Sequence, residues 1–141
     1  MTIKASRYHD FSSGHRVYRH GSKCADLHGH NYRVHFDCEA PDLDDVGRVM
    51  DFGDIKSRLC MWLEDQWDHK FLIFEEDPWA PLLKQMNPEG VVVTPFNPTA
   101  ENMAQFLLNV IGPQQLIDSP VELVKVTIEE TRKCAASAEV S

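Results

Sequence analysis

The feature that most constrains the fold is a run of residues, 31–40, in which apolar and polar side chains alternate strictly. A period of two residues puts successive side chains on opposite faces of a β-strand, so the run predicts a strand with one buried face. The same parity, extended backwards, puts His28 and His30 on the buried face as well. The apolar members of the run are Tyr32, Val34, Phe36, Cys38 and Ala40.

Two histidines on one face at the head of this strand point to a metal site. Residues two apart on a strand are separated by roughly 6.5–7 Å along the chain, and two imidazoles at that spacing can converge on one ion. His15, at the end of segment 11–15, is a third candidate ligand if its strand is adjacent. Three neutral nitrogen ligands with one open position are typical of a catalytic zinc site, although a bare His-x-His pair is more often no metal site at all.

Cys24 lies four residues before His28 and directly after Lys23. A thiol beside a metal cation and a lysine favours the thiolate form, which can abstract a proton. Cys24 could equally be a fourth zinc ligand, which would close the site and make it structural, or a loop cysteine without a role. The residues alone leave these three interpretations open.

Two other places in the sequence, an Asp-His pair and a glutamate, carry polar side chains that need a binding partner. Asp68 directly precedes His69, and in a turn this carboxylate can orient and charge-stabilise the imidazole, although such dipeptides are usually solvated. Glu130 shares a predicted strand face with Val126 and Ile128, where a carboxylate has to be paired or bound. Either a cleft for a ligand with N–H donors or a buried ion pair with an arginine would satisfy it.

Two helices are predicted. The first begins after Asp51, which can cap it, and an apolar repeat of three and four residues carries it to about Gln66. The second is expected to begin at Asn97-Pro98, with the proline in its first position, and to end at Gly112-Pro113.

The remaining pattern predicts strands around these helices. One strand is expected over 122–131 and one or two over 3–17, while 74–96 is interpreted as an excursion with one short strand. Residues 135–141 are expected to be a frayed tail. Helices on one face of an antiparallel sheet make an α+β fold, and no linker or repeat divides the chain, so residues 1–141 are expected to form a single domain.

The charge balance excludes some classes of partner. The 141 residues include 14 basic and 22 acidic side chains, a net charge of −8, which argues against nucleic acid and anionic membranes as partners but allows a small anionic substrate. The chain begins without the apolar run of a signal peptide and has no stretch of roughly 18 apolar residues. Its four cysteines form no Cys-x-x-Cys pair, so we expect free thiols and a cytoplasmic protein.

Taken in order, these motifs resemble the family of 6-pyruvoyl-tetrahydropterin and 6-carboxy-tetrahydropterin synthases. Each motif is moderately specific, but the ordered set is highly specific and spans about Phe11 to Thr131. The resemblance implies a tunnelling fold, in which a four-stranded antiparallel sheet carries two helices on one face and subunits close a barrel. It also implies homo-oligomers, commonly a hexamer built as a dimer of trimers, with active sites between subunits. The motifs are His15, Cys24-x-x-x-His28-Gly29-His30, Met50-Asp51-Phe52, Asp68-His69, Asn97-Pro98-Thr99-Ala100-Glu101-Asn102 and Glu129-Glu130-Thr131.

The resemblance implies a zinc ion and a catalytic thiol. His15, His28 and His30 match the zinc ligands of the family, and Cys24 matches its catalytic proton acceptor. Zinc would act as a Lewis acid on the side-chain oxygens of the substrate, and so acidify the neighbouring C–H and O–H groups.

The resemblance also implies a second proton-transfer group and a pterin pocket. Asp68 and His69 match the acid–base pair on the opposite side of the substrate. Glu130 matches the carboxylate that grips the N–H edge of the pterin. Thr99 and Glu101 match the start of the helix that borders the pterin pocket.

The substrate implied by the resemblance is 7,8-dihydroneopterin triphosphate. In the carboxy-forming branch, triphosphate leaves and the side chain is cleaved, which gives acetaldehyde and 6-carboxy-5,6,7,8-tetrahydropterin, a precursor of queuosine and other deazapurines. In the pyruvoyl branch the three-carbon side chain is kept. The short gap between Cys24 and His28 resembles the carboxy-forming branch, whereas the long segment 74–96 departs from compact members and leaves substrate choice open. A zinc-stabilised binding protein without turnover is the alternative from another class.

Overall fold

A computed structural model describes the whole chain, Met1 to Ser141, as a single sheet with helices packed on one face. Six strands make one mixed sheet in the spatial order β4-β3-β1-β2-β5-β6 once they are numbered along the chain. The strands are β1 (Ala5–His15), β2 (His28–Glu39), β3 (Lys70–Phe74), β4 (Val91–Thr94), β5 (Glu122–Glu129) and β6 (Ala135–Glu139).

The helices fall into two long helical runs and two short elements. The first run joins α1 (Phe52–Ile55), a π-helical turn (Lys56–Cys60) and α2 (Met61–Gln66). The second joins α4 (Ala100–Phe106), a π-helical turn (Leu107–Ile111) and α5 (Gly112–Gln115). The short elements are a 3₁₀ turn at Lys23–Ala25 and α3 (Ala80–Met86). No helix is both long enough and apolar enough to cross a membrane.

The alternating strand predicted over 31–40 is confirmed as the centre of the sheet. β2 pairs antiparallel with β1 on one side and with β5 on the other. Its inward residues Tyr32, Val34 and Phe36 are almost completely buried in the main hydrophobic core, against residues of both helical runs. A slip by one residue would exchange the buried and the polar face of β2, so this burial fixes the register of the whole sheet.

The first predicted helix is confirmed, and the bounds of the second are corrected. The second helical run begins at Ala100, because the Thr99 side chain caps it by accepting the Asn102 N–H at 3.1 Å. It continues through Gly112-Pro113 to Gln115. The π-helical turn resets the hydrogen-bond register there, and Pro113 falls in the first turn of α5, a position that tolerates a residue without an N–H.

The expected four-stranded antiparallel sheet is present as β1, β2, β5 and β6, but the expected strand number is too small because β3 and β4 extend the sheet. β3 runs parallel to both β1 and β4, so the sheet is mixed. Segment 74–96, interpreted as an excursion with one short strand, holds a helix as well, α3 before β4. The α+β class itself stands.

The expectation of a frayed tail over 135–141 is also wrong. Residues Ala135–Glu139 pair antiparallel with β5 as β6, and Ala136 and Ala138 are packed against the core. Small residues have low strand propensity, so the sequence gives little local signal for this strand. Its pairing depends on the free edge of β5, which exists only in the folded sheet.

Deleting residues 135–141 should lower the free energy of unfolding by on the order of 2 kcal/mol, because the ladder hydrogen bonds to β5 and the packing of two alanines are lost. Urea unfolding followed by circular dichroism measures the change. Deletion of Ser141 alone is the matched control and should leave the midpoint unchanged. Equal stability of the two truncated proteins would contradict the role given to β6.

Candidate metal and active site

The pairing of β1 with β2 brings three histidines together at one end of the hairpin. His15 lies directly opposite His28 in the ladder, and His30 lies on the same face as His28, two residues on. Between them Gly14 faces Gly29, and a Cβ on Gly29 would come within 3.1 Å of the Ser13 carbonyl oxygen. The strands can therefore approach closely at the point where the imidazoles converge.

The three imidazoles present one nitrogen each to a common point. Their potential ligand atoms all lie within 4.8 Å of one another, and Nε2 of His15 is 3.0 Å from Nε2 of His28. This is the grouping predicted from the spacing of His15, His28 and His30.

Backbone carbonyls fix the orientation of two of these rings. Nδ1 of His15 bonds the Pro98 carbonyl oxygen at 2.6 Å, and Nδ1 of His28 bonds the Asp26 carbonyl oxygen at 2.7 Å. A carbonyl oxygen only accepts, so each Nδ1 carries the proton and each Nε2 keeps its lone pair free. Metal-bound histidines are commonly held by a hydrogen bond of this kind on the other ring nitrogen.

The electrostatics of the cluster fit a metal ion with neutral nitrogen ligands. Nε2 of His30 is the only buried side-chain nitrogen or oxygen without a hydrogen-bond partner, and such an atom is costly unless something binds it. Burial lowers the pKa of His15 to about 4, and burial also lowers the pKa of His30 despite the charge of Glu130. Neutral imidazoles at pH 7 are the form that binds metals, so this donor set fits zinc.

Glu130 lies against the same cluster, one residue past the end of β5. Its Oε1 is 3.7 Å from Nε2 of His15 and 3.7 Å from Nε2 of His30. The ion pair with an arginine that could have explained an inward carboxylate does not form. Burial, followed by the charge of Glu130, raises the pKa of Tyr32 far above its usual range, so that hydroxyl stays neutral beside His15.

Asp68 and His69 form a hydrogen-bonded pair close to the hairpin end. Oδ1 of Asp68 accepts the Ser12 N–H at 2.9 Å, and Oδ2 accepts Nδ1–H of His69 at 2.8 Å. Burial alone would raise the pKa of Asp68, but these two hydrogen bonds outweigh it and lower the pKa overall. The His69 side chain is 80% exposed and its backbone has φ +59°, a rare conformation for a non-glycine residue.

Two adjoining cavities open beside these residues. A cavity of about 520 Å³ is lined by His30, and one of about 710 Å³ is lined by Asp68. Both are lined by Ser12, Asn31 and His69. The exposed imidazole of His69 therefore lines both a space that also touches His30, one member of the histidine cluster, and a larger, mostly polar space.

Cys24 lies on the loop that joins β1 to β2, in the 3₁₀ turn Lys23–Ala25. This loop leaves the sheet after His15 and returns at His28, so both of its ends are candidate metal ligands. Cys24 is half-buried, whereas Cys38 and Cys60 are buried and burial raises their pKa values to about 12 and about 11. Those two thiols are protonated at neutral pH and unsuited to proton abstraction.

Thr99 and Glu101 lie at the start of α4 but line neither cavity. Thr99 acts as the helix cap, and the exposed Glu101 stands in the first turn, where a carboxylate complements the helix dipole. The carbonyl of the preceding Pro98 orients His15. Substrate contacts of Thr99 and Glu101 remain a prediction.

Sequence reasoning missed the groups that support the site. The carbonyls of Pro98 and Asp26 hold the imidazoles, and the N–H of Ser12 holds Asp68. These are backbone groups, which every residue has, so no sequence pattern marks them. The sequence does show the proline in Asn97-Pro98, but its position indicates only the start of a helix.

The chain is similar to known proteins over nearly its whole length. A family model described as 6-pyruvoyl tetrahydropterin synthase matches residues 4–140. A relative from Rickettsia typhi, named 6-carboxy-5,6,7,8-tetrahydropterin synthase, is 34% identical over 133 residues, which cover 94% of this chain and 96% of the relative.

Solved structures share the fold over the full length. An uncharacterised protein from Wolinella succinogenes has a TM-score of 0.85 at 23% identity, covering 100% of this chain and 99% of its own. The 6-pyruvoyl tetrahydropterin synthase of Caenorhabditis elegans has a TM-score of 0.65 at 24% identity, covering 100% and 97%. The expectation of a tunnelling fold is thereby confirmed.

The metal-free protein should lose stability as the pH falls below about 6.5. Below that pH His15 is protonated in the unfolded chain, whereas in the folded chain its pKa is lowered to about 4 by burial. The lowered pKa of His30 acts in the same direction. Between pH 7.5 and pH 5 this linkage should remove about 2 kcal/mol of unfolding free energy. Urea unfolding in the presence of a chelator measures it. A His15→Asn variant, which cannot titrate, should show a smaller fall, and equal falls would contradict the assignment.

Proposed function

This chain belongs to the 6-pyruvoyl tetrahydropterin synthase family, and we propose that it is a zinc-dependent lyase acting on 7,8-dihydroneopterin triphosphate. The proposed products are 6-carboxy-5,6,7,8-tetrahydropterin, acetaldehyde and triphosphate. The observation that carries the proposal is the convergence of His15, His28 and His30, with one Nε2 buried and unpartnered. The name of the 34% identical Rickettsia typhi relative favours the carboxy-forming branch.

In this proposal the three histidines hold zinc through Nε2. Bound zinc would supply Lewis-acid polarisation of the substrate's side-chain oxygens. The carbonyls of Pro98 and Asp26 keep both Nδ1 atoms protonated, so the ligands cannot turn away from the metal. The open coordination position is left for substrate.

Protons move through Cys24 and His69 in this proposal. Asp68 accepts Nδ1–H of His69, which leaves the exposed Nε2 of that ring to exchange a proton with a molecule in the adjoining cavities. Cys24, on the loop that leaves β1 after His15 and returns at His28, acts as the other proton acceptor. Glu130 provides the carboxylate that binds the pterin N–H edge, with Thr99 and Glu101 bordering the pocket.

The assembly and setting follow from the same proposal. We expect a cytoplasmic homo-oligomer, a hexamer built as a dimer of trimers, serving queuosine and deazapurine biosynthesis. The proposed assembly is supported by the lining of the two cavities, which does not include Cys24, Thr99 or Glu101. A neighbouring subunit would complete the enclosure around these residues.

A product assay tests the branch. Zinc-loaded protein incubated with 7,8-dihydroneopterin triphosphate should give 6-carboxy-5,6,7,8-tetrahydropterin and acetaldehyde in equal amounts, measured by mass spectrometry and by aldehyde trapping. A His30→Ala variant, which lacks one ligand, is the control. A pyruvoyl pterin without acetaldehyde would instead support the second candidate, a 6-pyruvoyl-tetrahydropterin synthase, which the name of the matching family model favours.

Replacing the thiol tests its role against the other interpretations of Cys24. A Cys24→Ala variant should remain folded and keep its zinc, while kcat falls by roughly 10²–10⁴-fold because the proton acceptor is gone. Cys134→Ser, which alters an exposed thiol, is the matched control and should behave like the wild type.

Two results would contradict the thiol's catalytic role. Loss of zinc from Cys24→Ala would make the cysteine a ligand of a closed site. Full activity would make it a bystander. If zinc removal unfolds the wild-type chain and no turnover is found, the protein is a zinc-stabilised binding protein instead.

A further inference from the structure

Arg16 directly follows the candidate ligand His15, and its charged side chain is buried. Only 8% of the residue is exposed. The guanidinium contacts a carboxylate, a backbone carbonyl and an aromatic ring. Nε donates to Oδ2 of Asp77 at 2.5 Å, Nη1 donates to the Ala25 carbonyl oxygen at 3.1 Å, and the Trp79 ring lies 3.5 Å from its central carbon.

Two of these contacts come from the turn between β3 and α3, which belongs to the long segment 74–96. Asp77 is 1% exposed, and its Oδ1 accepts the Trp79 N–H at 2.9 Å. The backbone of the same turn is closed by Asp77 N–H to Phe74 and by Ala80 N–H to Asp77, each at 3.0 Å. Asp77 and Trp79 are thus fixed with respect to β3, and they hold the edge and the face of the Arg16 guanidinium.

The third contact reaches the loop that carries Cys24. Ala25 is the residue after Cys24, and its carbonyl accepts from Arg16. In addition, the Val17 N–H donates to the carbonyl of Cys24 itself at 2.8 Å. The two successive carbonyls of Cys24 and Ala25 are therefore tied to consecutive residues, Val17 and Arg16, that leave β1 after His15.

Stability alone does not explain such an arrangement. A buried ion pair gains little over well-packed apolar residues of similar volume, because both charges lose their hydration. A planar guanidinium has donors in fixed directions, however, so holding one part of it fixes where the other donors point. Asp77 and Trp79 fix the plane, and the plane fixes the position of the Ala25 carbonyl.

We propose that Arg16 is a positioning residue: held by Asp77 and Trp79, it sets the place of the Cys24 loop beside the histidine cluster. The inference rests on the proposed function for the catalytic part played by Cys24. The inference also assigns a role to residues 75–79 of the long segment 74–96, because Asp77 and Trp79 in this stretch hold the Cys24 loop in place through Arg16.

The primary test is the Arg16→Met variant of the zinc-loaded, full-length protein, which keeps the apolar stem of the side chain and removes its donors. We expect kcat on 7,8-dihydroneopterin triphosphate to fall by about 10- to 100-fold, the usual effect of a small misplacement of a reacting group, with KM and zinc content close to wild type. The released loop should expose its thiol, so alkylation of Cys24 by iodoacetamide, followed by peptide mapping, should speed up several-fold. Cys134, exposed and on another loop, is the internal control thiol.

A second variant, Asp77→Asn, tests whether Asp77 affects the Cys24 loop through Arg16. Asp77→Asn keeps the acceptor for the Trp79 N–H but removes the charge, and it should shift kcat and Cys24 alkylation in the same direction as Arg16→Met. In the double variant the two losses should not add, because the second change removes a partner of a side chain already gone. If Arg16→Met does not fold, Arg16→Lys, which keeps the charge without the planar fork, replaces it in the same measurements.

A matched control elsewhere in the chain is Arg58→Gln. Arg58 also joins a carboxylate and a carbonyl, with Nη1 bonded to Asp118 at 2.5 Å and to the Gln115 carbonyl at 3.2 Å, but it lies on the helical layer. This variant should leave kcat and Cys24 alkylation unchanged.

The proposal is overturned if folded Arg16→Met keeps wild-type kcat or wild-type Cys24 alkylation. It is also overturned if the variant loses zinc, since Arg16 would then act through His15. Failure of the proposed function is a different result: the wild-type protein would show no turnover, while the alkylation of Cys24, which needs no substrate, would still report on the loop.

Discussion

The pairing of β1 with β2 is the constraint on which the rest of the structure depends. It sets His15 opposite His28, brings His30 onto the same face and fixes both ends of the loop that carries Cys24. The register is held by the burial of Tyr32, Val34 and Phe36 under the two helical runs, in a row that begins directly beside the site. A shift of one residue would expose this apolar face, and the same shift would move the imidazoles apart. The stability of the core and the geometry of the site therefore have one cause.

The second requirement is that the histidines stay neutral and correctly turned. Burial holds the pKa values of His15 and His30 down, and the carbonyls of Pro98 and Asp26 accept the Nδ1–H groups of His15 and His28. The fold leaves the buried Nε2 of His30 without a hydrogen-bond partner, which is unfavourable for the metal-free protein. An ion with affinity for neutral imidazole would offset that penalty, so the proposed metal binding would stabilise this end of the sheet.

The reactive groups proposed around this centre come from different parts of the chain and depend on different supports. His69 is oriented by Asp68, which is itself held by the backbone of β1. The loop of Cys24 is tied to the start of the same loop and, through Arg16, to the turn before α3. Glu130 arrives from the end of β5. The supports of Asp68 and of the Cys24 loop are buried or backbone hydrogen bonds, so the core rather than surface contacts positions these parts of the site.

The sequence by itself determined the central strand, the first helical run and the metal candidates, because each depends on a short-range period or spacing that local chemistry enforces. It also marked Asp68, His69 and Glu130 as unusual, and the order of its motifs indicated the family. Only the tertiary structure decided the mixed six-stranded sheet, the pairing of Ala135–Glu139 with β5, and the links from Arg16 to Asp77 and from His15 to the Pro98 carbonyl. These features join residues far apart in the chain, often through backbone groups that all residues share, so they exist only once the core has brought the elements together.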